Sequence, residues 1–299
     1  ESEFRPTNDP IDIIYRTYAG APGGDRFPFS GADDDGDGLV DEDRLDGRDN
    51  DGDGLIDEDF AAISQQMFTS WYTDYEPAAA QVYPEHRPLN IKVEQESYQW
   101  DDPRFDDFVG VTVKITNMGN ETIEQVYLGV FADFDAGART TPEYWSDDGA
   151  GSWLSSLAGP KCTDIGPAML NLMYGYDVDG DAGRTPGYLG CMFLGHTLDP
   201  LGLAAPSEVK VRSFHVFSGA APYETGGDPA NDFQRYEALS SGQIDMNAGA
   251  ANDYRALMSV GPFPRLRPGE SIELSFGFVA GAGIAGMLGN AAMAQRFFD

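Results

Sequence analysis

Positive charge is scarce in this chain. Four lysines (Lys92, Lys114, Lys161, Lys210) belong to a total of 19 basic residues, set against 50 Asp and Glu in 299 residues, for a formal net charge of −31. A phosphate-binding surface needs clustered cations, so nucleic acid and anionic lipid are excluded as natural partners and divalent cations are favoured. Cysteine is equally sparse: Cys162 and Cys191 allow one disulfide and no cysteine-based zinc site. The three histidines, His86, His196 and His215, are too scattered to suggest a metal triad, and no HExxH, GxSxG or Walker pattern occurs. The longest uncharged stretch, Leu274 to Gln295, is rich in Gly and Ala and carries Asn290, so no membrane span is expected. Nothing at Glu1 looks like a leader peptide, which leads to the expectation of a mature chain. Few lysines and dense acid favour an extracellular or cell-surface address over the cytosol. At 41% hydrophobic and 12% aromatic, the chain can still bury a substantial core.

The acid is concentrated. Between Asp33 and Asp59 stand 14 carboxylates and two arginines, which account for −12 of the net charge. The segment repeats itself: Asp33-Asp34-Asp35-Gly36-Asp37-Gly38-Leu39-Val40-Asp41-Glu42-Asp43 returns 16 residues later as Asp49-Asn50-Asp51-Gly52-Asp53-Gly54-Leu55-Ile56-Asp57-Glu58-Asp59, with nine of eleven positions identical. Calcium takes six to eight hard oxygen ligands. A short loop can supply them when carboxylates alternate and glycine permits a sharp turn. Asp33, Asp35 and Asp37 occupy ligand positions 1, 3 and 5, the Leu39 carbonyl falls at position 7 and Asp41 at position 9. The second set is Asp49, Asp51, Asp53, the Leu55 carbonyl and Asp57.

At these residues the sequence resembles the aspartate-rich calcium repeats of the thrombospondin type 3 class, which share a DxDxDG core with EF-hand loops. The resemblance covers about 30 of the 299 residues. It departs from an EF-hand at position 12, occupied by Arg44 and Phe60, and from animal thrombospondins in having no cysteine within the repeats. The closing carboxylate is therefore expected from Glu42 or Asp43, from Glu58 or Asp59, from Asp46, or from the neighbouring repeat. A solvated acidic linker would explain the charge, but not the glycine at both turn positions nor the apolar pairs Leu39-Val40 and Leu55-Ile56. Without metal the carboxylates repel one another, so ordering of the segment should depend on calcium.

From Asn90 onward the dominant pattern has period two: Asn90 to Trp100, Phe108 to Thr116, Thr122 to Phe134, Met169 to Tyr176, Tyr188 to His196, Val209 to Phe217, Asp253 to Val260 and Ser271 to Val279. Connections are too short for helical crossovers, so the fold class expected is mainly β, an antiparallel Ig-like or jelly-roll-type sandwich. The organisation expected is an N-terminal strand segment over 1–30 containing Ile11 to Tyr18, tandem calcium repeats over 31–60, a connector over 61–89, the sandwich over 90–280 and a helical tail over 281–299. A helix capped by Asp228, with Pro229 after it, runs to about Ser240.

Other features carry weaker signals. Asp177, Asp179 and Asp181 alternate after a strand and could hold one more calcium, although turn chemistry explains them too. Asp133 and Asp135, with Asp147 and Asp148, could approach a metal across a sheet end. Cys162 and Cys191 flank a strand; a disulfide there would close a loop of about 30 residues and add roughly 3.5 kcal/mol. Gly281-Ala282-Gly283-Ile284-Ala285-Gly286 is formally GxGxxG, but no second strand or ribose-binding acid follows it, and a connector into the last helix is the better reading. Phe68, Trp71, Tyr72 and Tyr75 could form a sugar platform or pack the entry to the sandwich. The function expected is a non-catalytic extracellular calcium-binding structural protein, a subunit or module of a fibre, adhesin or surface layer that associates with itself or with other surface proteins. The overall look resembles large secreted bacterial proteins that carry such repeats beside Ig-like sandwiches. The alternative is a carbohydrate-binding module or a calcium-stabilised secreted hydrolase, with glycans as partners.

Overall fold

The structure, a computed structural model, describes residues 3–18, 21, 33, 36, 38–40, 44–60, 64–82, 84–157, 168–196, 211–219 and 221–298. It is mainly β and antiparallel, as the period-two pattern requires. The chain divides into two compact units, Glu1–Ile123 with Leu266–Glu273, and Glu124–Arg265 with Leu274–Asp299.

The first unit contains β1 (Arg5–Pro6), β2 (Tyr15–Tyr18), β3 (Gln66–Thr73), a short helix α1 (Pro77–Val82), β4 (Ile91–Gln99) and β5 (Phe108–Asn117). β1 and β2 pair with successive stretches of β3, Arg5 opposite Thr73 and Tyr15 opposite Thr69. β3, β4 and β5 then form an antiparallel run with Trp71 opposite Glu94 and Val93 opposite Ile115. Side chains alternate along β3, so Met67, Thr69, Trp71 and Thr73 are buried while Phe68 and Tyr72 look the other way. Trp100, Phe105 and Phe108 pack as an aromatic group beside Tyr98. A turn runs from Asn117 to Asn120. Asn117 is fully buried, and its amide donates to the Glu121 carbonyl at 2.8 Å and the Leu266 carbonyl at 2.9 Å, while its oxygen accepts the Gly119 N–H at 2.9 Å. One side chain thus ties the returning segment to this unit.

The second unit holds β6 (Ile123–Asp133), β7 (Asp148–Leu157), β8 (Ala168–Asp177), β9 (Gly187–His196), β10 (Val211–Ser218), α2 (Asp232–Ser240), β11 (Ala248–Asn252), β12 (Tyr254–Leu266), β13 (Ser271–Ala282) and α3 (Gly283–Phe298). One sheet runs β13-β9-β8-β7-β11 and the other β10-β12-β6. α3 lies on the larger sheet, with the Asn290 amide donating to the Ala280 carbonyl and the Gln295 amide to the Leu194 carbonyl. α2 covers one face of the smaller sheet, where Ala238 packs with Phe217 and Leu257. The other face of the smaller sheet carries Phe214, Ala256, Met258 and Val260, all fully buried. This is the sandwich the alternation implied.

Several expectations change. Gln66–Thr73, read as connector, is a strand whose alternate threonines disguise its apolar face. β7 and β11 went unseen because Gly, Ala and Ser dominate them. Tyr176 and Tyr174 lie across β7, where a Cβ on Gly149 or Gly151 would come within 2.5 or 2.7 Å of a tyrosine ring or hydroxyl. The α2 cap is Asn231, whose side chain accepts the Gln234 N–H, rather than Asp228. The disulfide expected between Cys162 and Cys191 is also corrected. Cys191 is a free thiol inside β9, opposite Met173 and Phe278, and 2% exposed; Cys162 lies outside the described residues. Burial pushes the Cys191 thiol up to about 12.

Candidate metal centre

The two acidic repeats fold alike wherever both are described. Gly36 N–H donates to Asp33 Oδ1 at 2.5 Å and Gly38 N–H to Asp33 Oδ2 at 3.0 Å; Gly52 and Gly54 do the same to Asp49 at 2.6 and 3.0 Å. All four glycines sit at φ between +90° and +101°, a conformation open to glycine at little cost. The turn therefore swings the next acids back, and the carboxylates of Asp49, Asp51 and Asp53 lie within 4.8 Å of one another. Leu39 and Leu55 are each 53% exposed, the same environment in both repeats. Asp35, Asp37, Asp41 and Asp43 lie outside the described residues.

Asp57 does not join this trio. Its carboxylate accepts the Asp46 N–H at 2.8 Å and the Gly47 N–H at 2.9 Å, closing the turn between the repeats. Asp59 is fully buried and is not one of the grouped carboxylates. Three exposed carboxylates make an all-oxygen donor set of the kind a hard divalent cation takes.

The second repeat is fastened to the sheet. Leu45 and Phe60 form a small core with Tyr15, whose ring stands edge-on to Trp71. Arg48, immediately before Asp49, pairs with Asp12 at 3.1 Å and Asp9 at 3.4 Å, while Lys92 also bonds Asp12. Burial works to raise the Asp12 pKa, but the Lys92 and Arg48 cations outweigh it and hold the carboxyl below its ordinary value. Gly47, at φ +74°, leaves the Tyr15 hydroxyl the space a Cβ would take.

A second acidic group forms at an end of the larger sandwich sheet. Asp147, Asp177 and Asp179 lie within 4.8 Å of one another. The Asp179 and Gly180 N–H groups donate to Asp177, and the Asp181 N–H to Asp179. Asp181, expected as the third member, turns instead to the Thr141 hydroxyl at 2.7 Å and the Ala138 N–H at 2.8 Å. Asp147 takes its place by tertiary contact. Burial, then Asp177 and Asp179, raises the Asp147 pKa; burial pushes neighbouring Asp148 up to about 8. Asp133 and Asp135 gather instead with Asp253. There Arg255 already supplies positive charge, 3.1 Å from Asp133 and 3.4 Å from Asp253.

The aromatic quartet does not form one platform. Trp71 is buried on one face of β3, while Tyr72 points the other way, edge-on to Phe4, with its hydroxyl on Gln95. The rings that do assemble are Tyr174, Tyr176 and Tyr188 on β8 and β9. Tyr176 and Tyr188 stack at 4.6 Å and 7°, and the Asn247 amide donates to the Tyr174 hydroxyl. No local pattern could reveal this row, because it is made by strand register.

No family model matches the chain. No curated protein matches it either. Among solved structures, a candidate aldose 1-epimerase from Escherichia coli K12 is 13% identical over 72% of this chain and 65% of its own, with a TM-score of 0.29. A polysaccharide lyase, BACCELL_00875, is 14% identical over 68% of this chain and 22% of its own, with a TM-score of 0.33. The chain thus spans less than two thirds of either. Both are named as enzymes of carbohydrate chemistry, which runs against the expectation of a non-catalytic surface-assembly subunit. That reading is withdrawn and the carbohydrate-related alternative is retained, although likeness at these TM-scores transfers no activity to this chain.

Proposed function

We propose that this protein binds calcium in its tandem acidic loop, works outside the cell, and binds or processes carbohydrate. The observation that carries the calcium reading is the convergence of Asp49, Asp51 and Asp53 around two left-handed glycines. The same glycine-to-aspartate bonds recur at Asp33. A bound ion would replace mutual repulsion with ion–oxygen attraction. The trio's exposure leaves room for water to complete a coordination shell, a design suited to the millimolar calcium of extracellular fluids. The resemblance to thrombospondin type 3 repeats supports the same assignment. Through Arg48 and the Tyr15–Leu45–Phe60 contact, an ordered loop would brace the β2–β3 edge. Calorimetric titration of chelator-stripped protein with calcium chloride tests this. Saturable binding weakened by Asp51→Asn and by Asp53→Asn is expected. Heats that both variants leave unchanged would defeat the assignment.

The carbohydrate role is supported by the half-buried Tyr176–Tyr188 stack with the Asn247 amide nearby, since sugar C–H faces pack on aromatic rings while amides bond hydroxyls. A glycan array is the test. Selective binding that Tyr188→Ala abolishes is expected, and no retention of any glycan would discard the tyrosine surface.

A further inference from the structure

His215, set aside above as one of three scattered histidines, stands between a serine and a carboxylate. Its Nε2 lies 2.9 Å from Ser241 Oγ and its Nδ1 lies 3.4 Å from Asp245 Oδ2. We propose that Ser241, His215 and Asp245 act as nucleophile, general base and positioning acid in the hydrolysis of short-chain carboxylic esters, with the Arg212 guanidinium stabilising the oxyanion. This stands independently of the calcium and sugar readings.

The fold holds each member in place. His215 lies on β10, its ring stacked on Phe217 at 5.7 Å and 25°, and its side chain is 12% exposed. Asp245 is positioned by a short parallel bridge, in which Phe214 N–H donates to the Gln243 carbonyl and Asp245 N–H to the Phe214 carbonyl, each at 2.9 Å. Its carboxylate also accepts the Val216 N–H at 3.0 Å and the Gln243 side-chain amide. A carboxylate facing Nδ1 favours the tautomer protonated there, which leaves the Nε2 lone pair toward the serine hydroxyl. Ser241 is exposed at the C-terminal end of α2, with the Ser213 hydroxyl and the Gln243 N–H both 3.1 Å from its oxygen.

A helix C-terminus carries partial negative charge and disfavours an adjacent anion. Arg212 answers that charge. Its Nε donates to the Ser240 carbonyl at 2.9 Å, and its two terminal nitrogens lie 3.1 and 3.2 Å from where a Cβ on Gly242, the residue after the nucleophile, would stand. Gly242, at φ +75°, leaves that space to the guanidinium.

In the reaction, Ser241 Oγ attacks the ester carbonyl carbon as its proton passes to His215 Nε2. The carbon–oxygen bond to the alcohol breaks, and Nε2 returns the proton to the departing oxygen. Water then attacks the acyl-serine, giving its proton to the same nitrogen; the bond from Ser241 Oγ to the acyl carbon breaks, Nε2 returns the proton to Oγ, and the carboxylic acid leaves.

The full chain, kept in calcium, is incubated with p-nitrophenyl acetate and separately with a fluorophosphonate probe, followed by peptide mass mapping. A single phosphonyl adduct on Ser241 is expected, with hydrolysis on the order of 100-fold faster than in Ser241→Ala and His215→Gln. Asp245→Asn should lower kcat while leaving KM for p-nitrophenyl acetate unchanged, and Asp245→Glu should restore part of it, because a carboxylate facing Nδ1 orients the imidazole. Absence of a Ser241 adduct, undiminished hydrolysis in Ser241→Ala, or full kcat in Asp245→Asn would each overturn the assignment.

Discussion

Replacing Asp51 by asparagine should change stability in opposite directions with and without calcium. The carboxylates of Asp49, Asp51 and Asp53 lie within 4.8 Å of one another. In water each like-charge pair at that distance costs about 0.9 kcal/mol, and screening at physiological ionic strength removes roughly half. Asp51 takes part in two of the three pairs, so Asp51→Asn should relieve about 1 kcal/mol in chelator. With calcium at about 2 mM and a dissociation constant on the order of 0.1 mM, an ion on the trio contributes about 1.8 kcal/mol, most of which is lost with a charged ligand. The variant should therefore melt roughly 2 °C above the parent in EDTA and, with the relieved repulsion set against the lost ion, about as far below it in calcium. Differential scanning calorimetry at neutral pH in both buffers reads this directly. A shift of the same sign in both, or a parent protein whose melt ignores calcium, would refute the reasoning and leave the segment a solvated acidic linker.

Burial, partly offset by the Tyr98 hydroxyl, raises the Glu96 pKa, so the folded state keeps a proton that the unfolded chain loses and this contribution fades as pH rises through the folded value. Glu96→Gln should match the parent near pH 4 and exceed it near pH 8 in urea titrations; no pH-dependent difference would refute this. Asn117→Ala strands the Glu121 and Leu266 carbonyls and the Gly119 N–H, and should cost about 3 kcal/mol by urea unfolding; a loss under about 0.5 kcal/mol would deny Asn117 its fastening role. The Cys191 thiol, pushed up to about 12 by burial, should resist Ellman's reagent in the native protein and react on denaturation. Mass mapping assigns the site, and native labelling of Cys191 would contradict its burial.

Much was legible from local pattern. Most of the antiparallel strands from Ile91 to Ala282, though not β7 or β11, follow from alternation, and the helical tail forms where the sequence reading set it. The tandem loops follow from the Asp–Gly spacing, because backbone N–H groups and the nearest carboxylates are neighbours in sequence and leave the turn little choice. What spacing misassigned is equally specific. Asp57 and Asp181 sit where a linear motif wants ligands, yet each finds backbone donors elsewhere, Asp57 in the turn between the repeats and Asp181 at Ala138 across the unit.

Charge, alternation and glycine turns act over a few residues, so a mainly β protein with paired aspartate–glycine loops could be read from the chain alone. That Asp147 meets Asp177, that Tyr176 stacks on Tyr188, that Cys191 is a sealed thiol, and that Ser241, His215 and Asp245 converge comes from the folded chain. Those contacts depend on strand register and on how α2 ends against β10. Register is set by burial summed over whole faces rather than by any one residue's neighbours in the chain.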